Sequence, residues 1–129
     1  MTPQESADTT SAKHAFLESL ADRDYRREFV AERVRSSIAL QIRALRDQRH
    51  MSQSALGDEI GMAQTWVSKL ENPDYGKMTV ATLLRLADAF DTDLEIKFRP
   101  FTESVDTLTR QSEDYFTVPS FTEEFPAEK

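Results

Sequence analysis

A chain of 129 residues, 39% hydrophobic and 30% charged, has room for one soluble domain with appendages and is not the composition of a disordered protein. Acidic residues outnumber basic ones 23 to 16, and the resulting net charge of −7, with a pI near 4.8, argues taken whole against a nucleic-acid partner. The absence of cysteine excludes disulfides, thiolate catalysis and cysteine-based zinc sites, and the polar start with no long apolar run predicts a cytoplasmic protein without signal peptide or membrane span.

Residues 1–13 carry almost no large apolar side chain and are expected to be disordered. A helical extension over 14–37 follows. It opens with a short amphipathic helix from His14 to Leu20, after which Asp22 or Asp24 caps a helix through Tyr25, Phe29, Val30 and Val34. The same period continues through Ile38, Ile42 and Leu45, so either one helix covers about 24–49 or Ser36-Ser37 bends it, and the bend is preferred. Two short helices come next: Ser52 caps the segment ending at Ile60 with Gly61 as its stop, and a second runs from Ala63 to Glu71. Asn72-Pro73-Asp74-Tyr75-Gly76 is loop chemistry, and Thr79 caps a helix whose Leu83, Leu86, Ala87 and Phe90 form an apolar stripe. From Leu94 the period switches to two, with Leu94, Ile96 and Phe98 alternating with Glu95, Lys97 and Arg99, which predicts a β-strand over 94–101 ended by Pro100.

The charge is unevenly placed. Residues 101–129 hold 7 acids and 2 bases, whereas residues 38–100 hold 9 and 8, so most of the negative excess lies in the tail. The objection to nucleic acid therefore weakens for the central unit.

Within that unit, two short helices joined by a glycine-containing turn suggest a helix-turn-helix, with Met62 plugging the corner and Ala55, Ile60, Val67 and Leu70 packing between the helices. The residues Ile42-Arg43-Ala44-Leu45-Arg46, Met51-Ser52-Gln53, Leu56, Ile60-Gly61-Met62 and Val67-Ser68-Lys69-Leu70-Glu71-Asn72 closely resemble the Xre/Cro-type, phage-repressor-like regulators over about 38–93. The resemblance implies a mainly α, lambda-repressor-like bundle in which Gln53 meets a phosphate from the start of the first motif helix. It implies that Gln64, Thr65, Ser68 and Lys69 face the major groove, where glutamine suits adenine and lysine reaches guanine. It further implies that Asn72, Tyr75 and Lys77 touch the DNA backbone and that Trp66 borders the groove. Arg46 and Glu71 are expected to pair inside the domain rather than bind DNA. Two positions depart from the family pattern: Ala63 stands where a capping Ser or Thr is common, and His50 replaces a usual glycine. Arg43 and Arg49 are candidates for phosphate contact or simply a solvated face.

A lone strand needs a partner, so Leu94, Glu95, Ile96, Lys97, Phe98 and Arg99 are expected to pair with their copy in a two-fold dimer, Glu95 opposite Arg99. The acidic tail over 102–129 interleaves aromatics with acids. It is either a solvated extension or a segment that docks on a partner protein, on the dimer's own helices, or across the DNA face. His14 and His50 are isolated, no nucleophile elbow occurs, and three glycines make no phosphate-cradling loop, so no metal, cofactor or enzyme activity is expected. The resulting reading is a homodimeric, operator-binding repressor. The alternatives are an antitoxin, which holds a toxin through the N-terminal helices or the tail and autoregulates its operon through the same helix-turn-helix, and a protein-binding adaptor built on the helix-turn-helix scaffold.

Overall fold

The computed structural model describes residues 3–108 and 115–127, and within them every regular element is a helix. They run α1 (Pro3–Ser19), α2 (Arg23–Gln48), α3 (Gln53–Ile60), α4 (Gln64–Leu70), α5 (Val80–Phe90), α6 (Phe101–Leu108) and α7 (Phe121–Glu124). Helix α1 starts at Pro3 and so includes most of the segment expected to be disordered.

The helix ends follow local chemistry. Asp22 accepts hydrogen bonds from the amides of Asp24 and Tyr25 at 2.9 and 3.3 Å, and so starts α2. Ser52 Oγ accepts from the Ala55 amide at 3.0 Å to start α3, and Gly61 closes it at φ 71°, a left-handed conformation that glycine adopts without steric cost. Thr79 Oγ1 caps α5 through the Thr82 amide at 3.1 Å. Ala63 provides no side-chain cap for α4, and His50 takes the positive φ, 54°, of the turn after α2.

Of the two readings for this stretch, one continuous helix is what is seen: α2 runs unbroken through Ser36-Ser37 for 26 residues, roughly 39 Å. The length gives α2 two tasks. Its first half packs on α1, where the Phe16 and Phe29 rings meet edge to face at 4.8 Å and Arg26 donates to the Leu20 carbonyl at 2.9 Å. Its second half supplies Ile42 and Leu45 to the core, which is completed by Leu56 and Ile60 of α3, Val67 and Leu70 of α4, and Leu86 and Phe90 of α5. Leu56 and Val67 are fully buried, so Leu56, rather than the half-buried Ala55, fills the seam between the motif helices. Gly57 sets how closely the turn approaches α3: a Cβ there would lie 2.5 Å from the Met62 carbonyl oxygen.

Arg46 ties α2 to the end of α4. Its Nε and Nη2 donate to both Glu71 carboxylate oxygens at 2.8 and 3.0 Å, and its Nη1 donates to the Met51 carbonyl at 2.9 Å. The side chains are only 14% and 6% exposed, and the hydrogen bond to Glu71 raises the Arg46 pKa above its ordinary value against the opposing effect of burial.

The strand expected at 94–101, and with it the antiparallel ribbon, is overturned. Residues 92–100 form no ladder, and α6 starts directly after Pro100, whose carbonyl accepts from the Glu103 amide at 3.2 Å. Ile96 is 62% exposed and Phe98 wholly exposed, so they do not cover the helices, and Lys97 lies 3.7 Å from Glu95 of its own segment. Alternation marks residues that suit a half-buried sheet surface, but a strand exists only where a second backbone supplies the hydrogen bonds.

The tail returns to the bundle. Arg49 donates to the Phe90 carbonyl at 3.0 Å and the Val118 carbonyl at 2.9 Å, while the Val118 amide donates to Gln48 Oε1 at 3.2 Å. The Val118 side chain packs against the core, and the amides of Phe121 and Thr122 donate to the Asp91 carbonyl and carboxylate at 2.7 and 3.3 Å. Asp91 ends α5 at φ 56°. Of the readings open for the tail, docking on the protein's own helices describes 115–125; residues 109–114 lie outside the described ones.

Glu71→Ala leaves the Arg46 guanidinium buried without its carboxylate, and a loss on the order of 3–5 kcal/mol is expected in urea unfolding. Truncation after Leu108 removes Val118 and the acceptors and donors around Arg49. A melting temperature lower by roughly 4 °C or more is expected by calorimetry, since one such hydrogen bond is worth about 0.5–1.5 kcal/mol net.

Candidate nucleic-acid interface

Helix α4 turns Val67 and Leu70 inward, which leaves Gln64, Thr65, Trp66, Ser68 and Lys69 outside. Seven residues make barely two turns, so the register is fixed by the two buried apolar positions. Polar groups thus line one exposed side of a helix clamped by the core and by Glu71 next to its end.

The outward residues are partly organised among themselves. Gln64 Nε2 donates to Gln53 Oε1 at 2.7 Å, joining the first residue of α4 to the first of α3. This pairing leaves the Gln53 amide nitrogen and the Gln64 carbonyl oxygen for a ligand. The Lys69 ammonium lies 4.6 Å from the centre of the Trp66 ring, and Trp66 meets Tyr75 edge to face at 6.2 Å. Helix α4 is thereby connected to the loop after it. Trp66 is 44% exposed, half engaged in this cluster and half open.

In that loop, Asn72 Oδ1 accepts from the Asp74 amide at 3.0 Å, and the Tyr75 amide donates to the Asn72 carbonyl at 3.1 Å, so Asn72 shapes the turn. Lys77 is exposed beside Gly76, whose φ is 63°. Thr65 and Ser68 lie on the open side of α4 without side-chain contacts to the others. Arg43 stands apart on α2, exposed and 4.0 Å from Asp47. Arg49 is not part of this surface: its guanidinium is held by Phe90, Gln48 and Val118. The Gln53–Gln64 bond and the Lys69–Trp66–Tyr75 cluster join positions read singly from the sequence, because spacing gives faces but not the approach between helices.

Among the described residues no helix is long and apolar enough to cross a membrane, and no group of three or more His, Asp or Glu is placed to hold a metal ion.

A family model described as a helix-turn-helix domain matches residues 21–99, a span that takes in the whole of α2 as well as the two motif helices and α5. Neither the curated proteins nor the solved structures gave a significant match. With more than half of its length covered, the chain belongs to the helix-turn-helix domain family, a family of DNA-binding regulators.

Proposed function

We propose that the protein is a transcriptional repressor that binds operator DNA as a homodimer, with α4 lying in the major groove. The observation that carries this reading is the open face of α4: Gln64, Thr65, Ser68 and Lys69 are exposed together on a helix whose other side is locked into the core. Base edges are read by side chains held in a fixed frame, and Gln64, braced by Gln53 at 2.7 Å, is already oriented. Gln53 and the start of α3 meet one phosphate, and Asn72, Tyr75 and Lys77 meet another on the far side of α4.

Two-fold symmetric operators call for a two-fold protein. Val80 and Leu84, one turn apart on α5, are 57% and 56% exposed, which supports self-association through this helix. Repression follows in this reading from occupancy of the operator by the dimer, which blocks polymerase.

A Gln64→Ala/Lys69→Ala double variant is expected to melt like the parent. It loses tenfold or more in affinity for genomic fragments that the parent selects, as each base contact is worth about 1–3 kcal/mol. Unchanged affinity in a mobility-shift titration refutes the assignment of α4. In sedimentation at micromolar concentration the parent is expected to run as a dimer and Leu84→Glu as a monomer; a Leu84→Glu dimer rules out the α5 contact.

A further inference from the structure

We propose that Arg35, in the part of α2 upstream of the motif helices, is a phosphate-binding residue of the DNA surface. The inference rests on the DNA-binding reading above and extends it to a residue outside the helix-turn-helix unit itself.

The placement comes from Gly76. A Cβ on this residue would lie 2.8 Å from Arg35 Cδ, 3.7 Å from Cγ and 3.9 Å from Nε. The arginine stem therefore occupies the space that a side chain at 76 would fill, flat against the loop that follows the recognition helix. At φ 63° the loop backbone is in the left-handed region, so glycine serves both the turn and the approach of Arg35. Arg35 is also among the residues that line a mainly apolar cleft of about 540 Å³ between α2, α5 and residues 92–97, as are Ile38, Val80 and the acidic Asp93 and Glu95, neither of which forms an ion pair with it. Packing of this kind fixes the stem while the charged end remains separate from it.

The charge is uncompensated. Arg33 donates to Ser104 Oγ at 2.6 Å, Arg43 faces Asp47 at 4.0 Å, Arg46 holds Glu71, and Arg49 holds two backbone carbonyls. Arg35 alone among these five has no hydrogen bond or ion pair among the described residues. Lys77, the next residue after Gly76, has none either. Arg35, whose stem lies against Gly76, and Lys77, next to Gly76 in the chain, thus have no hydrogen bond or ion pair among the described residues, and their loop is joined through Tyr75 and Trp66 to Lys69 on α4.

An anion completes such a site, and in the DNA-binding reading the loop that follows α4 brings to it a backbone phosphate of bound duplex. A phosphodiester presents two unbridged oxygens, and the planar guanidinium can donate to both. The length of α2 gains a purpose: its upstream turns carry a cation to the loop of a unit in which 8 bases are offset by 9 acids.

The test is the salt dependence of binding to a mixed-sequence 30-base-pair duplex, followed by fluorescence anisotropy. Arg35→Met keeps an unbranched apolar stem over Gly76 and removes the charge, while Arg35→Lys keeps the charge. For Arg35→Met the slope of log affinity against log salt is expected to fall by about 0.9, so that its deficit against the parent narrows about 3.5-fold between roughly 50 and 200 mM salt. Arg35→Lys is expected to retain the parental slope, and both variants the parental melting temperature. An Arg35→Met slope equal to the parent's overturns the inference. Unfolding of Arg35→Met overturns it as well, because the guanidinium would then be supporting the fold. A parent that binds no duplex at any salt concentration overturns the DNA-binding reading itself, an outcome distinct from unchanged slope in a binding-competent parent.

Discussion

The surface presented by α4 depends on a buried ion pair. Arg46 reaches from α2 to both oxygens of Glu71 and, with its remaining nitrogen, to the Met51 carbonyl at the entry to α3. One guanidinium thus fixes the end of α4 and the entry to α3 relative to α2. A seven-residue helix without a side-chain cap has little stability of its own, so its orientation comes from outside. Val67 and Leu70 anchor one side by burial, and Glu71 anchors the end by charge. The buried pair is a weak source of net stability, because desolvation offsets much of the attraction, but it discriminates sharply between one helix orientation and the others.

Around this clamp the protein is arranged asymmetrically. On one side lie the polar residues of α4, the aromatic cluster of Trp66 and Tyr75, and the loop that carries Lys77. At the junction of the C-terminal ends of α2 and α5 lies the tail, held by Arg49, Gln48 and Asp91. The acidic character that first argued against a nucleic-acid partner is concentrated beyond residue 100, and its described part is attached mainly by backbone groups rather than by its carboxylates. Its apolar anchor, Val118, contributes to the same core as the motif helices. The described part of the tail therefore belongs to the packing of the domain, and the composition of the whole chain misrepresents the surface around α4.

Much of the motif is legible in the sequence because its signals are local. Ser52, Gly61 and Thr79 act on groups within a few residues of themselves, and each ends or starts a helix by a mechanism that needs no tertiary partner. The outward register of Gln64, Thr65, Ser68 and Lys69 follows from the helical period once Val67 and Leu70 are taken as buried. Other features are long-range and left little trace. Arg49 resembles any exposed helix arginine, yet its partners are 41 and 69 residues away. Gly57 looks like an ordinary weak point in a helix, although a side chain there would strike the Met62 carbonyl.

The alternating residues from Leu94 to Arg99 mark the boundary between the two kinds of information. The sequence by itself determined the helix caps, the apolar stripes and the polar face of α4, because these depend on neighbours three or four positions apart. Only the tertiary structure decided that 94–99 forms no strand, that α2 runs unbroken past Ser36-Ser37, that the described part of the tail folds back, and that Arg35 lies against Gly76. A strand requires a second backbone, a docked tail requires a surface with matching carbonyls and amides, and a side chain beside a glycine requires two distant segments to meet. None of these conditions is encoded by spacing along one chain.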